Sequence, residues 1–136
     1  MSTKIFVNLP VKDLSKSKEF FSQLGYSVNP EFSDENAACL VISDDIFAML
    51  LTEPFFKSFT KKGIADSRTG TEVMIALSAE GRAQVDELAD KALAAGGQPA
   101  GDTLDYGFMY SRSFYDLDDH HWEFVWMDVN AAQQQG

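Results

Sequence analysis

The sequence predicts an α+β fold of two tandem βαβββ modules, over residues 1–52 and 71–130, with a linker at 53–70 and a tail at 131–136. Three observations predict it. "TEVMIALS" (71–78) repeats the apolar and polar alternation of "TKIFVNLP" (3–10) position by position, both opening on Thr. An amphipathic helical stretch follows each. "DDHHWEFVW" (118–126) repeats "DDIFAMLLT" (44–52). Self-similarity of this kind marks a duplicated supersecondary unit. At 136 residues with 45% hydrophobic content, the chain can bury a core without covalent staples.

The elements follow in order. In residues 4–11, Phe6 and Asn8 alternate with Ile5, Val7 and Leu9, the period of a strand covered on both faces. Asp13 is placed to cap a helix running to Leu24, with Leu14, Phe20, Phe21 and Leu24 on its apolar side and Gly25 ending it. "YSVNPEF" (26–32), "AACLVIS" (37–43) and "IFAMLLT" (46–52) then read as three strands separated by polar clusters. The segment 53–70 carries Phe55, Phe56 and Phe59 among four basic residues. A connection this long either packs down as a short helix whose Phe side chains plug a sheet edge, or covers a site. After the strand at 71–78, Ser78 is placed to cap a second helix with Val85, Leu88, Ala89, Ala92 and Leu93 on one face, ending at Gly96 and Gly97. A weak strand at 98–104 and stronger ones at 108–116 and 120–127 complete the second module, and Gln133 to Gly136 reads as a frayed tail.

Composition narrows the function. The net charge of -10 repels phosphate backbones and anionic membrane surfaces, and no stretch approaches a membrane span, so neither nucleic acid nor membrane is an expected partner. The same charge concentrates a cationic ligand. The opening residues lack the apolar core of a secretory signal and the single Cys39 has no partner in the chain, which points to the cytoplasm. No glycine-rich phosphate loop, serine nucleophile elbow or cysteine motif is present. In its predicted strand, Cys39 reads as a small core residue.

The duplicated βαβββ order, the opening "VKDLSKSKEFFSQLGY" and the closing "FYDLDDHHWEFVWMD" resemble the vicinal oxygen chelate superfamily, which includes glyoxalase I and the fosfomycin and bleomycin resistance proteins. Within it, "KIFVNLPVKDL" and "ENAACLVIS" resemble a bacterial group labelled predicted lactoylglutathione lyase. The resemblance implies that each module curls into a half-barrel, that paired modules enclose a cup, and that the protein is a homodimer. It also implies metal-ligand positions on the first and last strands of each module, which fall on Phe6, Met49, Met74 and Glu123. Of these, only Glu123 carries a donor suited to a divalent cation, because phenylalanine and a thioether do not hold a hard or borderline ion.

The segment "DDHHWEFVWMD" (118–128) holds two histidines and a glutamate. Successive strand residues point to opposite faces, so His120 and His121 do not both reach a metal with Glu123, whereas His121 and Glu123 share a face. His120 falls in the turn, where Asp119 takes the place the family gives to glycine. His121 and Glu123 supply at most two metal ligands, short of the usual three. They read either as a divalent metal pair or as a hydrogen-bonded pair at the mouth of the cup. The apolar neighbours of Glu123 predict burial and therefore a partner, such as His121, Asn8, Tyr110 or Arg112.

Alternation sets Phe6, Asn8, Glu72, Met74 and Ala76 toward the cup, and gives Phe108, Tyr110 and Arg112 a common face. With Met49 and His121, these form an aromatic and apolar site carrying a few polar groups, or else simply core packing. The expected function is binding of a small organic molecule, cationic or aromatic, with no cofactor. The alternative is an enzyme, either a glyoxalase-like lyase or isomerase, or a metal-free acid-base catalyst with Glu123 as the base.

Overall fold

The computed structural model describes residues 2–130, so the predicted tail at 131–136 lies outside the described residues. The chain divides into two compact units, one up to Asp66 and one from Ser67 onward.

In the first unit, β1 (Ile5–Val11) runs into α1 (Leu14–Gln23), and β2 (Ser27–Asn29), β3 (Ala37–Val41), β4 (Ile46–Thr52) and a short helix α2 (Glu53–Lys57) follow. Asp13 caps α1 by accepting from the Lys16 N–H at 3.1 Å, and Gly25 follows the helix at φ +103°, a conformation that favours glycine. The sheet order is β1-β4-β3-β2, with β1 parallel to β4 and the other pairs antiparallel. Leu9, Val11, Ala48, Leu50 and Leu40 are buried with Leu14, Phe20, Phe21 and Leu24 of the helical segment. Alternation leaves Phe6, Asn8, Phe47, Met49 and Leu51 on the opposite face.

One expected strand is shorter than read. Residues Pro30–Phe32 form a 3-10 turn, because Asn29 caps it through its side-chain oxygen (2.9 Å to the Glu31 N–H) and Pro30 sets the helical φ. This turn packs on β3, and the Ser33 hydroxyl accepts from the Cys39 N–H at 2.9 Å. Cys39 is buried, as its strand position suggested.

The second unit repeats the plan with β5 (Met74–Ser78), α3 (Arg82–Ala94), β6 (Gln98–Pro99), β7 (Leu104–Asp105), β8 (Met109–Tyr115) and β9 (His121–Met127). Its order is β5-β9-β8-β6, β7 also pairs with β8, and β5 is parallel to β9 as β1 is to β4. Gly81, not Ser78, stands at the N-terminus of α3. Ser78 remains in β5, the Ala79 N–H still donates to Val125 at 2.8 Å, and Gln84 reaches back to accept from the Glu80 N–H at 2.7 Å. Val85, Ala89 and Ala92 are buried, whereas Leu88 and Leu93 stay half-exposed. The expected strand at 98–104 is split into β6 and β7. Trp122, Phe114 and Phe124 form the aromatic core beside α3, the two phenylalanines stacked at 5.6 Å. Among the described residues, no helix is long and apolar enough to cross a membrane.

Candidate functional site

The open face of the first unit carries the candidate cavity. Phe6 and Phe47, opposite each other in register, stack at 4.9 Å, and Lys4 lies 5.6 Å from the Phe47 ring centre. One register step on, Asn8 sits opposite Met49 and next to a hollow of about 360 Å³. Met49, Leu51, Phe55 and Phe59 give it apolar and aromatic walls, with Glu31 and Asp34 also on its lining. A second hollow of about 480 Å³ is shared by Asn8, Leu51, Phe56, Phe59 and Thr60. The helix expected in the 53–70 segment is thus present as α2, but its phenylalanines line cavities on the open face, and Phe59 is 70% exposed. Pro54 in the first turn starts this helix, and Phe55 and Phe59 meet edge to face at 4.9 Å. Asn8 donates from its amide to the Phe6 carbonyl at 3.2 Å, which leaves its side-chain oxygen to accept from a ligand.

The second unit holds the histidines. His120 is buried in the turn before β9, with its Nδ1 2.6 Å from Glu72 Oε1. Asp119 has φ +62°, the left-handed conformation that favours glycine and that Asp and Asn adopt more readily than other side chains. The turn is built on Asp116. Its Oδ1 accepts from the Asp118 and His120 N–H groups at 2.9 and 3.0 Å, and its Oδ2 accepts from Trp122 Nε1 at 2.8 Å. Burial pushes the Asp116 carboxyl up, opposed by nearby His120 and by the bonds from Trp122 and the two backbone groups.

Several expectations change here. Glu72 lies before β5 and faces the buried His120 rather than lining a strand. Tyr110 and Arg112 face α3. The Tyr110 hydroxyl donates to Asp86 at 2.6 Å, and Arg112 donates to Asp86 and Asp90 at 3.1 and 2.9 Å, so neither serves Glu123. The bond from Tyr110 holds the Asp86 carboxyl below its usual range. Phe108 lies in the bend before β8, where its carbonyl accepts from the Asp128 N–H at 2.7 Å. The open face of β8 instead carries Met109, Ser113 and Tyr115, with Ser113 opposite Glu123 and Tyr115 opposite His121.

Glu123 is half-exposed, contrary to the expected burial, and its carboxylate makes no hydrogen bond or ion pair among the described residues. His121 beside it touches the Tyr115 ring edge-on at 5.7 Å. Met74 is exposed opposite His121, and Ala76 lies opposite Glu123. Among the described residues, no group of three or more His, Cys, Asp or Glu side chains is arranged to hold a metal. Of the residues at the positions where the resemblance implies metal ligands, Phe6 and Met49 in the first unit and Met74 and Glu123 in the second, only Glu123 carries a hard donor, so these side chains do not fit a divalent cation.

Known proteins agree with the repeated topology. Residues 3–43 match the family model for the bleomycin resistance protein-like N-terminal region. A hypothetical protein of S. aureus is similar at 29% identity over 92% of this chain and 94% of its own, with a TM-score of 0.77. A glyoxalase-related enzyme from Fulvimarina pelagi superposes with a TM-score of 0.79 at 18% identity, covering 95% of this chain and 91% of that one. This is the vicinal oxygen chelate fold. A genomically encoded fosfomycin resistance protein of Listeria monocytogenes shares this fold with a TM-score of 0.68 at 20% identity, over 96% of this chain and 97% of its own. No protein of curated function matches the chain. In the vicinal oxygen chelate fold, the resemblance read from the sequence therefore holds in architecture throughout and in sequence over residues 3–43.

Proposed function

We propose that the protein binds a small organic molecule, aromatic or cationic, on the open face of its first unit. The observation that carries this reading is the hollow of about 360 Å³ between Asn8, Met49, Leu51, Phe55 and Phe59, within the usual size range of ligand pockets. Aromatic walls, one side-chain acceptor and an acidic lining suit a flat or positively charged group. The chain's net charge of -10 favours the same ligands. Phe6 and Met74, where the fold implies metal ligands, and the predicted contacts of Glu72 and His121 are not needed for this binding. The protein is read as a homodimer of the cytoplasm, and sedimentation equilibrium tests the oligomeric state.

Titration with a panel of aromatic amines and quaternary ammonium compounds, followed by tryptophan fluorescence and thermal shift, tests the reading. Saturable binding is expected, weakened roughly three- to tenfold by Phe59→Ala as about 0.7–1.4 kcal/mol of ring contact is lost. No saturable ligand in the panel, or equal affinity in Phe59→Ala and Asn8→Leu, sinks it.

One observation favours a second reading: the carboxylate of Glu123 is half-exposed and has no protein partner among the described residues, as an acid-base group awaiting substrate would be. That reading requires a turnover that Glu123→Gln abolishes. Methylglyoxal with glutathione is the first substrate pair, following the resemblance to the lactoylglutathione lyase group.

A further inference from the structure

We propose that the ligand is an elongated molecule with two unlike ends, a flat cationic group held in one hollow of the first unit's open face and a neutral aromatic ring held in the other. The inference rests on the small-molecule reading and names the ligand class of that same face.

The arrangement of the two hollows comes first. Those of about 360 and 480 Å³ share Asn8, Leu51 and Phe59, so they adjoin rather than lie apart. Consecutive residues of α2 divide between them, Phe55 lining the first and Phe56 the second. Neighbours on a helix are turned by about 100°, which sends the two rings to different sides. Phe59, one turn further on, meets Phe55 edge to face at 4.9 Å, and its N–H donates to the Phe56 carbonyl at 3.1 Å. The backbone beneath Phe59 is thus held in a turn while the ring stands 70% exposed, a wall common to both hollows rather than a plug in either.

The two ends differ in chemistry. Glu31 and Asp34 line the first hollow and not the second. Asp34 Oδ1 accepts from the N–H groups of Asn36 and Ala37 at 2.8 and 3.1 Å, which fixes the carboxylate and leaves Oδ2 to accept from a ligand. Among the described residues, the lining of the second hollow carries no charge: Leu51, Phe56 and Phe59 are apolar, and Asn8 and Thr60 are neutral. A cation buried there would lose its hydration without a partner, whereas an aromatic ring would not. Asn8 belongs to both hollows, and its side-chain oxygen suits an N–H in the middle of the ligand. A molecule spanning both makes the second contact without a second loss of translational freedom.

The test is calorimetric titration of the full chain with para-(benzylamino)benzamidine and with para-(methylamino)benzamidine, which keeps the cationic head and the central N–H but lacks the second ring. The benzyl compound is expected to bind roughly ten- to a hundredfold more tightly, the effect of burying a phenyl ring. Asp34→Asn should weaken both compounds by a similar factor, because it acts on the head they share. In Phe56→Ala the advantage of the benzyl compound should disappear. Thr60→Trp, at an exposed position, fills the same hollow and should have the same effect if the alanine variant does not fold, and thermal unfolding reports the fold of each. Equal affinity of the two compounds for the unaltered chain overturns the assignment of two ends and leaves the small-molecule reading standing. So does an advantage that survives both Phe56→Ala and Thr60→Trp, because the second ring is then held elsewhere. Failure of both compounds to bind removes the two readings together.

Discussion

Replacing Asp116 by alanine removes the acceptor around which the β8–β9 turn is organised. Asp116 is 5% exposed and accepts from Trp122 Nε1, the His120 N–H and the Asp118 N–H, and both Trp122 and His120 are themselves buried. Truncation strands two buried donors at about 1–3 kcal/mol each and removes a charge-assisted acceptor. The ionised carboxylate also costs stability by being buried, which its raised pKa records, so the losses do not simply add. We expect a destabilisation of roughly 3–5 kcal/mol, the range for breaking a buried charged network. Urea unfolding followed by tryptophan fluorescence measures it directly, because both tryptophans, Trp122 and Trp126, lie on β9. With a slope near 1.5–2 kcal/mol/M, the midpoint should fall by about 2 M. Asp116→Asn should fall between wild type and alanine, since its amide keeps one acceptor but turns an N–H toward a donor. A loss below about 1 kcal/mol for Asp116→Ala would refute the accounting, meaning that water replaces the carboxylate without strain.

Asp105, held at about 2 against a usual 3.8 first by its bond from Arg82 and then by the Gly107 N–H, contributes stability above pH 3.8 that is lost as pH falls toward 2. Asp105→Asn should therefore flatten the acid limb of the pH-stability profile in that window. Asp116 acts in the opposite sense: its raised pKa gives a contribution that is complete below pH 3.8 and declines as pH rises through the folded-state value. Gly97→Ala would place a Cβ 2.9 Å from the backbone oxygens of Ala92 and Tyr115, so a loss of about 1–3 kcal/mol by overpacking is expected in thermal unfolding. Phe20→Ala, at a fully buried position on α1, should cost about 3–5 kcal/mol by the same assay.

Periodicity and local chemistry by themselves determined the duplicated module order. The repeat of residues 3–10 at 71–78 reappears as two parallel pairings, β1 with β4 and β5 with β9, in which Asn8–Met49 and Ala76–Glu123 are equivalent partners. The Asp13 cap, the Gly25 stop and the Phe20 and Phe21 core were legible because they depend on residues within a turn or two of one another. Alternation also set Phe6 and Asn8 against Leu9 and Val11. The same rule left the face of β8 open, since a period of two gives two equivalent choices until a partner is known. Pairing with β9 and the acidic residues of α3 decided it, drawing Tyr110 and Arg112 to the helix and leaving Ser113 and Tyr115 beside Glu123 and His121. The Glu72–His120 contact joins residues 48 positions apart, and the approach of α2 to β1 and β4 brings Phe55 and Phe59 over Asn8. Such contacts depend on where separate elements pack in space, which no local period in a sequence encodes.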